Sequence, residues 1–191
     1  MKPMIDPRPP DASPSDPELV ESIRGGDMSA LGKLFDRYAE DVRRVASRMC
    51  ASSDVDDIVQ ATFLDVLKAS VRYDGRESAR SWMLGLTIIQ VRRHRRTLAR
   101  LAQRLNTWAK EAVPTQRSPE TDAADREHAE RLERAYGALS DKKREVVVLV
   151  AIEGLSGDEA ASLLNIPVAT VWTRLHHARR ELRDALALEE S

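Results

Sequence analysis

The sequence predicts an all-α protein: two small helical domains joined by a flexible linker. Three observations carry this. Apolar residues recur at spacings of three and four, the repeat of a one-sided helix, and the two-residue alternation of a half-buried strand is rare. Aromatic residues are only 4% of the chain, too few to supply strand-forming runs. Between two periodic stretches lies "AVPTQRSPETDAAD", whose prolines and mixed polar residues read as a linker over about residues 108–130. With 191 residues in all, neither domain can enclose more than a modest core.

The first 17 residues, "MKPMIDPRPPDASPSDP", are rich in proline and carry no apolar run of signal-peptide length, so they read as a disordered leader. A short helix is expected from Glu18 to Arg24, broken at Gly25-Gly26. Asp27 can cap a long helix whose stripe is Leu31, Leu34, Phe35, Tyr38, Val42, Val45 and Met49. The third helix starts in "SSDVDDIVQATFLDVLKAS", where Ser53 and Asp56 have capping-box spacing and Val55, Ile58, Val59, Thr62, Phe63 and Val66 share one face. "RYDGRES" interrupts the pattern. A fourth helix runs from about Ser78 past Arg104, with Trp82 packed at its start, and completes a first domain over 18–107.

The second domain, 131–187, opens with a short helix ending near Leu139. "LSDKKREVVVLVAIEG" follows, with Ser140 as cap and Gly154 as stop. "SGDE", Ser156 to Glu159, has the capping-box spacing for a helix ending at Asn165. After a turn at Ile166-Pro167 comes "VATVWTRLHHARREL".

Charge and cysteine content exclude several classes. The formal net charge is -1, from 30 Lys plus Arg against 31 Asp plus Glu, so attraction to a polyanion must be local. A single cysteine, Cys50, permits no internal disulfide and no multi-cysteine zinc site; it reads as a small core residue in a reducing, cytoplasmic protein. No apolar run approaches the length of a membrane span, and no metal or cofactor is expected.

Three surfaces carry the functional signal. Successive helical positions lie about 100° apart, which puts Val171, Leu175, Ala178 and Leu182 in one apolar stripe. Ala169, Thr173, His176, His177 and Arg180 fall opposite, with Trp172 and Arg174 on the flanks. A capped helix, a short turn and a second helix of this kind make a helix-turn-helix whose second helix can enter a DNA major groove, Ala169 and Thr170 permitting close approach. His176 and His177 point about 100° apart and make a poor metal pair. The second surface is a ridge: from Ser78 to Lys110 there is no acidic residue, and Arg92, Arg96, Arg100 and Arg104 repeat every four positions, suited to a phosphate backbone. The third lies opposite the core stripe of the third helix, where Asp57, Gln60, Ala61, Leu64 and Lys68 form a polar face with an apolar centre, suited to a protein partner. The residues by themselves also allow a plain helix-turn-helix regulator with a helical sensor domain. A nuclease site at Asp54, Asp56 and Asp57 does not fit, because successive helical residues do not converge on one ion.

Taken together, "GDMSALGKLFDRY", "DVDDIVQATFLDVL", "GRESARSWMLGL" and "LSDKKREVVVLVAIEGLSGDEAASLLNIPVATVWTRLHHARRELR" resemble the two-domain sigma factors of the extracytoplasmic function (ECF) type, over about residues 18–104 and 131–187. The resemblance implies a dissociable, non-enzymatic subunit that binds core RNA polymerase, directs it to promoters and helps melt them. It implies that Asp57, Gln60, Ala61 and Leu64 dock on the beta-prime clamp helices, and that the second domain meets the beta flap. Arg76 and Arg80, in "RYDGRES" and the helix after it, would meet the minus-ten element as a separated strand, with Arg92, Arg93, Arg96 and Arg100 further along. Ala169, Thr170, Trp172, Thr173, Arg174, His176, His177 and Arg180 would read the minus-thirty-five element. An anti-sigma protein covering these faces is the usual partner in such a family. Two departures stand out: "GLTII" puts Ile88 and Ile89 where polar residues are common, and Trp172 stands where a lysine or another polar residue is common.

Overall fold

The computed structural model describes residues 13–105 and 134–188; the linker and most of the leader lie outside them. Every regular element among the described residues is helical: α1 (Asp16–Arg24), α2 (Met28–Met49), α3 (Val55–Ala69), α4 (Ala79–Leu105), α5 (134–138), α6 (Asp141–Val146), α7 (Gly157–Leu164) and α8 (Val168–Leu188).

Helix α1 begins at Asp16, ahead of the expected Glu18, because Ser15 and Glu18 close a capping box there. Asp16 accepts from Arg37 at 2.6 Å and from the Tyr38 hydroxyl, and the Pro14 carbonyl accepts from Arg37 at 2.6 Å, so α2 holds this end in place. Asp27 caps α2 by accepting from the Ser29 amide at 2.8 Å. The stripe of α2 buries Leu34, Val42, Val45 and Met49 against α3 and α4. Phe35, expected in that stripe, is 42% exposed and packs by one edge of the helix on Phe63, ring centres 4.7 Å apart.

The capping box expected at Ser53 and Asp56 does not form. A 3₁₀ turn over Ser52–Asp54 precedes α3, Ser53 donates to Asp54, and Asp56 pairs with Arg43 at 2.5 Å. The buried threonine hydroxyls on α3 and α4 are satisfied within their own helices, Thr62 donating to the Ile58 carbonyl and Thr87 to the Met83 carbonyl. Beyond α3, the Arg24 guanidinium donates to the carbonyls of Ser70 and Tyr73, which ties α1 to the loop that follows.

In the second domain Ser140 stands at the N-cap of α6, but its side chain makes no cap bond. Helix α6 runs directly into a π-helix, Val147–Ile152, which the sequence pattern does not announce. Val146, Val147, Val148 and Leu149 are all buried, and four successive positions cover the whole circumference of a helix, so the first half of this segment is enclosed on every side, while Ala151 and Ile152 at its end are exposed. Gly154 ends it with φ +74°. Helix α7 opens with the expected capping box: Ser156 accepts from the Glu159 amide at 3.2 Å and donates through its own amide to the Glu159 carboxylate at 2.9 Å. It closes on Asn165 in the left-handed conformation. Ser156→Ala is expected to lower the stability of the second domain by about 1 kcal/mol in urea denaturation.

The two domains pack together through one continuous apolar cluster. Helix α4 lies against α7 so closely that a methyl placed on Gly85 would stand 2.7 Å from Leu163 Cδ2. Around this contact several polar links cross between domains: Glu77 accepts from Ser162 at 2.5 Å, Ser81 donates to Glu159 at 3.1 Å, and Glu153, whose side chain is 1% exposed, binds both Arg44 and Arg80.

Candidate nucleic-acid and polymerase interfaces

The helix-turn-helix is α7, the Asn165-Ile166-Pro167 turn and α8. Val171, Leu175 and Ala178 of α8 are no more than 2% exposed, and Leu182 is half-buried against the same cluster. The opposite face is open: Ala169, Trp172, Thr173, His176 and Arg180 are exposed, with Thr170, Arg174 and His177 half-buried at its margins. Lys143 fixes α8 to α6 through Glu181 at 2.5 Å, which leaves the arginines of the outward face without that carboxylate. A rigid helix with one face locked in a core and the other offering hydroxyl, imidazole, guanidinium and indole groups can present donors to base edges and phosphates.

On α3, Asp57, Gln60 and Leu64 are exposed, Leu64 at 54%, and Ala61 is half-buried between them. The opposite side of that helix carries Val55, Ile58, Val59, Phe63 and Val66 into the core. Nothing within the described residues packs over Leu64, so its apolar surface is available to a partner.

The arginines of the first domain divide into two groups. Arg96 and Arg100 are exposed, as is Arg76 at the tip of the loop, where it pairs with Asp74 at 3.2 Å. Arg93 is exposed but pairs with Asp65 at 3.1 Å. Arg92 is engaged by the second domain: its guanidinium makes a two-pronged contact with Glu145, at 2.7 and 2.6 Å, and that carboxylate raises its pKa further against the opposing effect of burial. Arg80 binds Asp41 at 2.8 Å and Glu153 at 2.5 Å. Burial alone would raise the Glu153 carboxyl, but the hydrogen bonds and charge of Arg44 and Arg80 outweigh it and hold the group below the usual carboxylate range. Of the ridge, Arg92 is therefore covered in this arrangement while Arg96 and Arg100 are open; the Arg104 side chain lies outside the described residues. Ile88 is buried, Ile89 is 37% exposed, and Trp82 packs on Tyr73 with ring centres 4.7 Å apart.

Residues 34–101 match the Sigma-70 region 2 family and residues 129–182 the Sigma-70, region 4 family. RNA polymerase sigma factor CarQ of Myxococcus xanthus is 31% identical over 172 residues, covering 87% of this chain and 95% of CarQ. The chain belongs to the sigma-70 family of RNA polymerase sigma factors. It is of the ECF type: the ECF RNA polymerase sigma-E factor of Escherichia coli (strain K12) is 27% identical over 176 residues, covering 88% of this chain and 92% of that one. Among solved structures, CnrH in complex with the cytosolic domain of CnrY superposes with a TM-score of 0.66 at 27% identity, covering 92% of this chain and 99% of CnrH. The sigma factor RpoE of Bartonella quintana, in complex with the anti-sigma factor NepR, superposes at 0.67 with 19% identity over 82% of this chain and 96% of that one, which bears on the fold alone.

Sequence reasoning found the outward faces of this sigma factor's α3 and α8 but missed two features. It did not pair Glu145 and Glu153 with first-domain arginines. It also left Gly157 unremarked, although a methyl there would stand 2.6 Å from the Trp172 ring.

Proposed function

We propose that this sigma factor docks core polymerase through the exposed α3 set of Asp57, Gln60, Ala61 and Leu64, and reads the minus-thirty-five element with Ala169, Thr170, Trp172, Thr173, Arg174, His176, His177 and Arg180. The observation that carries the reading is the division of α8, whose inward stripe is closed to solvent and whose opposite face is open and polar. Arg76 and Arg80 meet the melted minus-ten strand, and Arg92, Arg93, Arg96 and Arg100 meet phosphates. Arg80 and Arg92 do so once Glu153 and Glu145 have moved away. The protein works in the cytoplasm, without catalytic chemistry of its own, and an anti-sigma partner covers the same faces.

Transcription in vitro with core polymerase over a genomic DNA library tests the activity. Initiation confined to a subset of promoters is expected. Sequence-specific DNA binding by the free chain, with no polymerase recruitment, would favour the plain regulator instead. Leu64→Arg combined with Asp57→Lys tests the docking face: both positions are exposed, so circular dichroism should be unchanged while capture of core polymerase falls at least tenfold. Capture at the wild-type level by the folded variant removes this face from the interface.

A further inference from the structure

Trp172 projects from the second turn of α8, and its ring lies on the first residue of α7, Gly157. A methyl placed on Gly157 would stand 2.6 Å from Cζ2, 2.8 Å from Cε2 and 3.0 Å from Nε1 of the indole, closer than carbon atoms pack, so the ring occupies the space a side chain would need. One side of the ring is thus seated on backbone, yet the residue remains 51% exposed. Ala169, Thr173 and His176, which lie within four positions of Trp172 on the same helix, are exposed as well. A rigid aromatic plane held in one position beside a base-reading face presents apolar area with little rotamer freedom left to lose on binding. The apolar group that a major groove offers at base level is the 5-methyl of thymine.

We propose that Trp172 is a thymine-methyl reader that selects thymine at one position of the upstream promoter element, and that Gly157 is its positioning residue. This rests on the reading of α8 as the promoter-facing helix and adds the chemistry of one of its contacts. Gly157 has a defined role in it. Any larger residue would lift the ring or swing it off the face, because the atoms it would strike belong to a stiff bicyclic ring.

The test uses the full chain assembled with core polymerase and the promoter recovered from a library randomised at the minus-thirty-five element. Each thymine of that promoter is replaced singly by deoxyuridine, which removes the methyl and leaves base pairing unchanged. The wild-type complex is expected to lose about fourfold in promoter affinity at one thymine, the worth of one buried methyl-sized group. Trp172→Ala should bind the thymine and deoxyuridine templates equally at that position, while Trp172→Phe keeps part of the discrimination. Gly157→Ala should also lose it, with the indole emission of Trp172 altered and the second domain still cooperatively folded. Adding Gly157→Ala to Trp172→Ala should change nothing further. Wild-type discrimination in Trp172→Ala, or none by the wild type at any thymine, overturns the methyl reader; full discrimination in Gly157→Ala overturns the positioning role. Thr173→Ala and Arg180→Ala separate this from the parent reading: if they shift base preference and Trp172→Ala does not, only the methyl reader falls. If none of them does, α8 does not face the promoter.

Discussion

Val171→Asp is expected to unfold the second domain. Val171 is fully buried, set between the turn after α7 and the stripe of Leu175 and Ala178, and its surroundings are apolar. A carboxylate there has no cation to meet, and burying an unpaired ionised group costs more than a small domain holds in reserve, about 5–15 kcal/mol at most. The thermal transition of the second domain should disappear and its backbone should become open to limited proteolysis. The first domain, which closes Leu34, Val42, Val45, Met49 and Phe63 within its own helices, keeps most of its helical signal. Thr173→Asp, two residues further on and exposed, should leave the fold intact and impair only promoter binding. A cooperatively folded second domain in Val171→Asp would show that the stripe is not core.

Arg44→Ala with Arg80→Ala is expected to separate the two domains without unfolding either. Glu153 meets these two guanidiniums across the interface, and without them its carboxylate would stay buried beside Asp41 with no cation. Breaking a buried pair from one side costs about 3–5 kcal/mol, less here because both arginines are 33% exposed and already partly hydrated. The chain can avoid that cost by returning Glu153 to water. Small-angle scattering should record a larger radius of gyration with unchanged far-ultraviolet dichroism.

The sign of the acid response follows from the lowered carboxyl pKa of Glu153, whose arginine partners lie across the interface. A carboxyl whose pKa is depressed by packing stabilises the packed state above its ordinary pKa, and that contribution is lost as pH falls through the lowered value. The wild-type interface should therefore weaken below about pH 4, and the double variant should show no such response at Glu153. Compact scattering from the double variant at neutral pH would mean that the links it retains, the apolar contact at Gly85 and Leu163 and the Arg92–Glu145 pair among them, hold the domains together.

Features set by neighbours along the chain were legible in the sequence. Asp27, Gly154, the Ser156–Glu159 box and the left-handed Asn165 mark ends of helices by chemistry that acts over two to four residues. What acts across the fold was not. The window from Ser78 to Lys110 contains no acidic residue, yet Arg92 finds Glu145 at a separation of 53 positions and Arg44 finds Glu153 at 109. Counting charges along a segment cannot see such partners. The valine run of "VVVLV" has no period from which a wider turn could be told from an α-helix. Gly157 reads in sequence as an indifferent helix residue, and its significance comes entirely from where the Trp172 ring lies.

The two-pronged grip of Glu145 on Arg92 also has a thermodynamic consequence. One guanidinium has a single fork, and a carboxylate and a phosphate oxygen pair compete for it on equal geometric terms. If promoter phosphate is the second claimant, the two occupancies exclude each other, and the measured affinity for DNA equals the intrinsic affinity multiplied by the fraction of molecules in which Glu145 has let go. A hundredfold preference for the closed pairing would weaken apparent promoter binding a hundredfold, about 2.7 kcal/mol, with no change at the DNA-facing atoms. Salt would weaken the open phosphate contact more than this pairing, whose carboxylate is only 3% exposed. Promoter affinity would therefore fall with ionic strength while the closed pairing persists.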